Sequence, residues 1–276
     1  MNYRRLLCTL ALAAALPMAA NAGVVVSVNI APPPLPVYAQ PPIPAAGYLW
    51  TPGYWRWDPM PAEYFWVPGT WVAPPAVGLL WTPGYWAWGS GGYLWRAGYW
   101  GPHVGFYGGV NYGYGYGGSG YHGGYWHGGV FAYNRSVNNI NVNIVHNTYN
   151  ERVVENNTRV SFNGGTGGIA ARETPEERAA HSEHRYAPTP VQREHEQVAM
   201  HSPEQRASFN HGAPGTVAMA HPSQMQGGAG HPQDMHQVHD EPHGHGEPHA
   251  EHGGGGPHGG APHGEHHGGG GGQQEH

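Results

Sequence analysis

The chain has 276 residues, among them 46 Gly, 27 Pro and 22 His, and a formal charge of −6 with His neutral. Its 12 basic residues are all arginine and face 18 acids, a balance that argues against nucleic acid as a partner, since phosphates call for a basic surface. A single cysteine, Cys8, excludes a disulfide framework and a thiolate zinc site.

Residues 1–22 read as a secretory signal peptide: Arg4 and Arg5, an apolar run from Leu6 to Leu16, then Ala20-Asn21-Ala22 as a small-x-small cleavage site. That run is shorter than the about 20 residues of a membrane span. No later stretch is apolar enough to qualify, so the mature chain is expected to be exported, without a transmembrane segment and without cysteine. Residues 23–47, with Pro32-Pro33-Pro34, Pro36, Pro41-Pro42 and Pro44, read as an extended polyproline spacer, with a short strand over Val24 to Ile30.

The segment 48–104 holds 10 of the 11 tryptophans in four copies of one phrase, W-x-x-G-x-W. Its defining residues are Trp50, Gly53 and Trp55, then Trp66, Gly69 and Trp71, then Trp81, Gly84 and Trp86, and finally Trp95, Gly98 and Trp100. Three copies carry Pro-Gly, which predicts a type II turn at the centre of the phrase. Alternating aromatics around it, as in Tyr54, Trp55, Arg56 and Trp57, favour short strands with cross-strand aromatic pairs. Spacing and residues together resemble the WxxGxW (also written YxWGxW) repeat proteins, which are exported bacterial proteins. The resemblance covers Tyr48 to Trp100, and Val160 to Ile169 with Thr174-Pro175-Glu176 resemble a segment that trails such repeats. Arg96-Ala97 departs from the usual Val-Pro in the fourth copy. The resemblance implies a periplasmic, outer-membrane-associated or extracellular protein and supplies no catalytic residues. The indoles are expected either to bury one another as the core or to form a stacking platform for glycan.

Residues 105–129 form a Gly/Tyr tract that reads as an aromatic loop. Its G-x-G-x-x-G at Gly113, Gly115 and Gly118 lacks the strand, helix and acidic residue of a dinucleotide site. The Asn/Val-rich segment 130–163 gives the clearest strand signal, the alternation from Val137 to Ile144. Within 164–209, Thr174-Pro175, Thr189-Pro190 and Ser202-Pro203 each begin a capped helix start, followed three residues after the cap by Glu177, Gln192 and Gln205. Residues 210–276 read as a disordered His/Gly-rich tail. Together these elements predict an all-β fold, a small Trp/Tyr-rich module of repeated hairpins or a meander, with a largely disordered His/Gly/Pro-rich C-terminal region.

Of the 22 histidines, 18 lie at or after His181. Imidazole is a common ligand for Zn, Ni and Cu, so the candidate metal residues are His181 and His184 near Glu177, then His236, His239, His243, His245, His249, His252, His258, His263, His266 and His267. Glycine and proline between them predict several labile sites and no required cofactor. Enzyme chemistry is not expected, because no H-E-x-x-H, G-x-S-x-G or P-loop occurs and aspartate is confined to Asp58, Asp234 and Asp240. These features describe a non-enzymatic cell-envelope protein with a structural or adhesive role. Its expected partners are envelope components, glycan or further copies of itself, and its tail should bind divalent metal weakly. A periplasmic metal buffer and a glycan-binding module are the alternatives.

Overall fold

The computed structural model describes residues 27–154 and 158–227. The expected signal peptide and the histidines from His236 onward lie outside the described residues. After a two-residue strand, β1 (Ser27–Val28), the proline-rich stretch has no regular structure and lies against the repeats, with Leu35 and Ile43 buried. Its carbonyls have a specific use. Pro34 and Pro41 accept the indole N–H groups of Trp55 and Trp71 at 3.1 and 2.9 Å, and Ile30 accepts the Tyr64 hydroxyl at 2.7 Å.

The four phrases fold as two hairpins. In the first, β2 (Leu49–Thr51) and β3 (Tyr54–Asp58) are paired with β5 (Gly69–Val72) and β4 (Glu63–Val67), setting Trp50 opposite Trp71 and Trp55 opposite Trp66. The second repeats this with β6 (Leu80–Thr82), β7 (Tyr85–Gly89), β8 (Gly92–Arg96) and β9 (Tyr99–Gly101), where Trp81 faces Trp100 and Trp86 faces Trp95. All four indole pairs have ring centroids 5.2–5.3 Å apart and interplanar angles of 56–68°, the tilted and edge-on arrangements that the aromatic quadrupole favours.

The type II turn expected at Pro-Gly does not form. None of Gly53, Gly69, Gly84 and Gly98 has a positive φ, and the chain reverses instead at residues 59–62 and 90–91. Glycine is needed at the phrase centre for close approach. A Cβ at Gly53 would run into the Trp66 indole and stand 2.8 Å from the Gly69 amide nitrogen, and one at Gly69 would meet the Trp50 indole and lie 2.9 Å from the Gly53 nitrogen. Gly84 and Gly98 repeat the arrangement under Trp95 and Trp81. The first tryptophan of each phrase therefore roofs the glycine of its partner phrase.

The Gly/Tyr tract is built into the core. Through β10 (Asn111–Gly113) and β11 (Tyr116–Gly117) it buries Tyr107, Tyr112 and Tyr116. The Tyr116 hydroxyl lies 2.9 Å from the Trp81 carbonyl and 3.4 Å from the Trp50 carbonyl, corresponding positions of the two hairpins, and the Tyr112 hydroxyl donates to the Gly84 carbonyl at 2.6 Å.

Beyond it, β12 (Gly124–His127), β13 (Val130–Asn134) and β14 (Thr148–Tyr149) make a small sheet, and β15 (Phe162–Asn163) pairs in parallel with β7. The alternation from Val137 to Ile144 forms turns rather than the expected strand. Asparagine side chains compete with a ladder for the backbone donors: Asn134 Oδ1 accepts the Ser136 and Glu151 amides, and Asn141 Oδ1 accepts the Asn143 amide.

The fold is strand-rich but not strictly all-β, since α1 (Pro175–Ala179), α2 (Pro190–His201) and α3 (Ala207–Asn210) follow. Thr174 and Thr189 cap the first two with complete capping boxes, as their sequence predicts, whereas Ser202 leads only into a 3-10 turn, Pro203–Gln205, without a side-chain cap. The start of the expected tail is also structured: β16 (Ala218–Met219) pairs with β5, and the Val217 carbonyl accepts the Trp66 indole N–H at 3.0 Å.

Candidate functional site

The repeat tryptophans are core. Seven of the eight that define the phrases are buried and Trp95 is half-buried, so these rings form no open platform. What each hairpin offers is the surface beside its two phrase centres. On the first hairpin this face comprises Thr51, Pro52, Tyr54, Val67, Pro68 and Thr70, around a 290 Å³ cavity that Trp81, Gly84, Trp95, Ala97 and Gly98 of the second hairpin also line. The corresponding positions of the second, Thr82, Pro83, Tyr85, Arg96, Ala97 and Tyr99, line a cavity of 720 Å³.

Helix α2 covers the first face. Ala199 packs with Phe65 and Val67, and His195 Nε2 meets the Pro68 carbonyl at 2.8 Å. Glu196 receives the Tyr54 hydroxyl at 2.7 Å and Arg56 Nε at 2.9 Å, while the Arg56 guanidinium lies 5.0 Å from the centre of the Trp95 ring. Burial, and after it the Glu196 carboxylate, push the Tyr54 phenol well above its ordinary value. Burial also lowers His195 below its ordinary 6.5, against the opposing pull of the Pro68 and Pro222 carbonyls and of Glu196. Arg206 closes the far end of this hairpin, donating to Asp58 at 3.0 Å, to Glu63 at 2.9 Å and to the Met200 carbonyl at 2.6 Å. Nothing in the spacing of these residues announces that triad.

The described histidine candidates do not converge. His181 Nε2 lies 3.1 Å from Glu173, and His184 meets Tyr186 edge-on with ring centroids 4.5 Å apart. Glu177, expected beside them, is buried and turned to other work: it accepts the Thr174 amide in the capping box, the Ser119 hydroxyl at 3.1 Å and the Gly120 amide at 3.2 Å. Among the described residues no three His, Cys, Asp or Glu side chains gather as metal ligands would. His236, His239, His243, His245, His249, His252, His258, His263, His266 and His267 lie outside the described residues. Among those described, no helix is long and apolar enough to cross a membrane.

A family model for the WXXGXW repeat matches residues 46–72 and 77–100 as two copies. No curated protein and no solved structure matches the chain. Each matched copy holds two phrases and coincides with one hairpin, and the chain thus carries the WXXGXW repeat in two copies.

Proposed function

We propose that this is a non-enzymatic, exported protein of the cell envelope whose aromatic repeats have a structural or interaction role. The burial of the repeat indoles supports this reading. The N–H groups of Trp55, Trp71 and Trp66 are bonded to carbonyls of flanking chain at Pro34, Pro41 and Val217, so the repeats act as a frame around which the flanking described segments are wound. Interaction then belongs to the outer surface, where Trp88, Tyr125 and Tyr186 are exposed, and to the hairpin faces. Cell fractionation with a growth screen of a deletion strain tests the reading. We expect the protein in an envelope or secreted fraction and a sensitivity to detergent that is the same in metal-poor and metal-rich medium. Recovery in the cytosol would overturn it.

A second reading, metal buffering by the tail, is favoured by the 18 histidines at or after His181. Titration calorimetry should give several weak Zn, Ni or Cu equivalents for the full chain, lost on truncation after His231 and lost below about pH 6 as imidazole protonates. Growth that fails only in excess or limiting metal would favour this reading over the first.

A further inference from the structure

We infer that the open face of the second hairpin is a binding site for an anionic saccharide, a pyranose carrying carboxylate or phosphate groups. This deepens the interaction role proposed above and rests on it. The two hairpin faces are built from corresponding residues, but α2 packs directly on the first and leaves 290 Å³, whereas α1 and the turn after it only flank the second and leave 720 Å³. On the second, Arg96 stands where the first has Val67, and Ala97 where it has Pro68. The 720 Å³ cavity there falls within the roughly 300–1,000 Å³ of small-molecule sites.

Its charge runs against that of the chain. Arg96, Arg172, Arg178 and Arg185 line it with Glu173 as the one acid, although the whole chain carries −6. Glu173 is shared between His181 at 3.1 Å and Arg178 at 3.9 Å. Arg96, Arg172 and Arg185 form no ion pair within 4 Å among the described residues, and guanidinium forks suit carboxylate and phosphate oxygens.

The first face shows what such a surface holds. There the chain's own Glu196 carboxylate takes the Tyr54 hydroxyl and Arg56; on the second face Tyr85 is the counterpart of Tyr54, Ala87 stands in place of Arg56, and the guanidinium is instead that of Arg96, the register partner of Tyr85. The aromatic walls distinguish a sugar from a flat base. Tyr85 meets Phe106 at 76°, a Cβ at Gly108 would run into the Tyr85 ring, and the Arg185 guanidinium sits 4.5 Å from the centre of Tyr99. Tyr85 and Phe106 thus form no parallel slot for a nucleobase, whereas the C–H groups of a puckered ring can pack on one face and an edge.

Calorimetry on the full chain, with trigalacturonate, glucose 6-phosphate, maltotriose and AMP as probes, tests this. One or both acidic sugars should bind and maltotriose should not, the better of the two telling carboxylate from phosphate recognition. Arg96→Val restores the residue found in the first hairpin, so the fold should hold, and it should weaken binding about tenfold, with Arg172→Gln acting in the same direction. Arg152→Gln, an exposed arginine away from the cavity, should leave binding unchanged. Failure of both acidic sugars, equal binding of maltotriose, tighter binding of AMP, or indifference to Arg96→Val and Arg172→Gln would each overturn the site. Such a failure leaves fractionation and detergent sensitivity as separate tests of the envelope role.

Discussion

At the scale of single residues, the phrase glycines and His195 bear the sharpest constraints. An added methyl at Gly53 must displace both an indole and the backbone of the facing strand, so Gly53→Ala should cost about 1–3 kcal/mol, the range for overpacking a well-filled site. Gly89 ends β7 of the other hairpin, where a Cβ would find only Leu94 at 3.8 Å, and Gly89→Ala should be near neutral. Denaturant unfolding followed by tryptophan fluorescence reads both. His195 makes stability depend on pH. It is held neutral in the fold, so below about pH 6.5 the unfolded chain takes up a proton that the folded chain resists, and stability falls with acidification. Between pH 7.5 and 5.5 the unfolding midpoint should drop, and His195→Gln should flatten that drop; an equal slope in the variant would show that His195 is not its source.

At the scale of elements, caps and pairing are governed by different distances along the chain. Thr189 and Gln192 close a box within four residues, which is why the start of α2 could be read from the sequence. Thr189→Ala should therefore weaken the helix and its hold on Val67 and Pro68 by about 1 kcal/mol, measurable as a lower unfolding midpoint. The strand pattern from Val137 to Ile144 misled for the complementary reason. Period-2 alternation tells which residues could share a face, but the side chains of Asn134, Asn138 and Asn141 bind the backbone locally and hold turns. The phrase glycines were likewise visible as invariant positions. Their purpose was hidden, because it lies on the facing strand 16 residues away at Gly69 and not in the local turn that Pro-Gly suggests.

At the scale of the whole molecule, the two ends of the described chain complete the two hairpins. Strand β1 is paired with β8 on the second, and β16 with β5 on the first, where Arg206 also binds the reversal between β3 and β4. The short strand expected over Val24 to Ile30 is present as β1, but its pairing with β8, and β16 with its pairing to β5, were not legible from composition, since each rests on two residues. Truncation after His231 should leave the unfolding midpoint unchanged, whereas truncation after Asn210 removes the Val217 carbonyl and β16 and should lower it. Limited proteolysis should accordingly yield a resistant fragment extending past Met219.

The exchange of tryptophan and glycine between phrases sets a rule of parity. Trp50 needs Gly69 and Trp66 needs Gly53, just as Trp81 needs Gly98 and Trp95 needs Gly84. A solitary phrase would have an indole with no recess to enter and a glycine groove with nothing over it. Such a chain can grow or shrink only by pairs of phrases, and a fifth phrase would remain unfolded until a sixth was added.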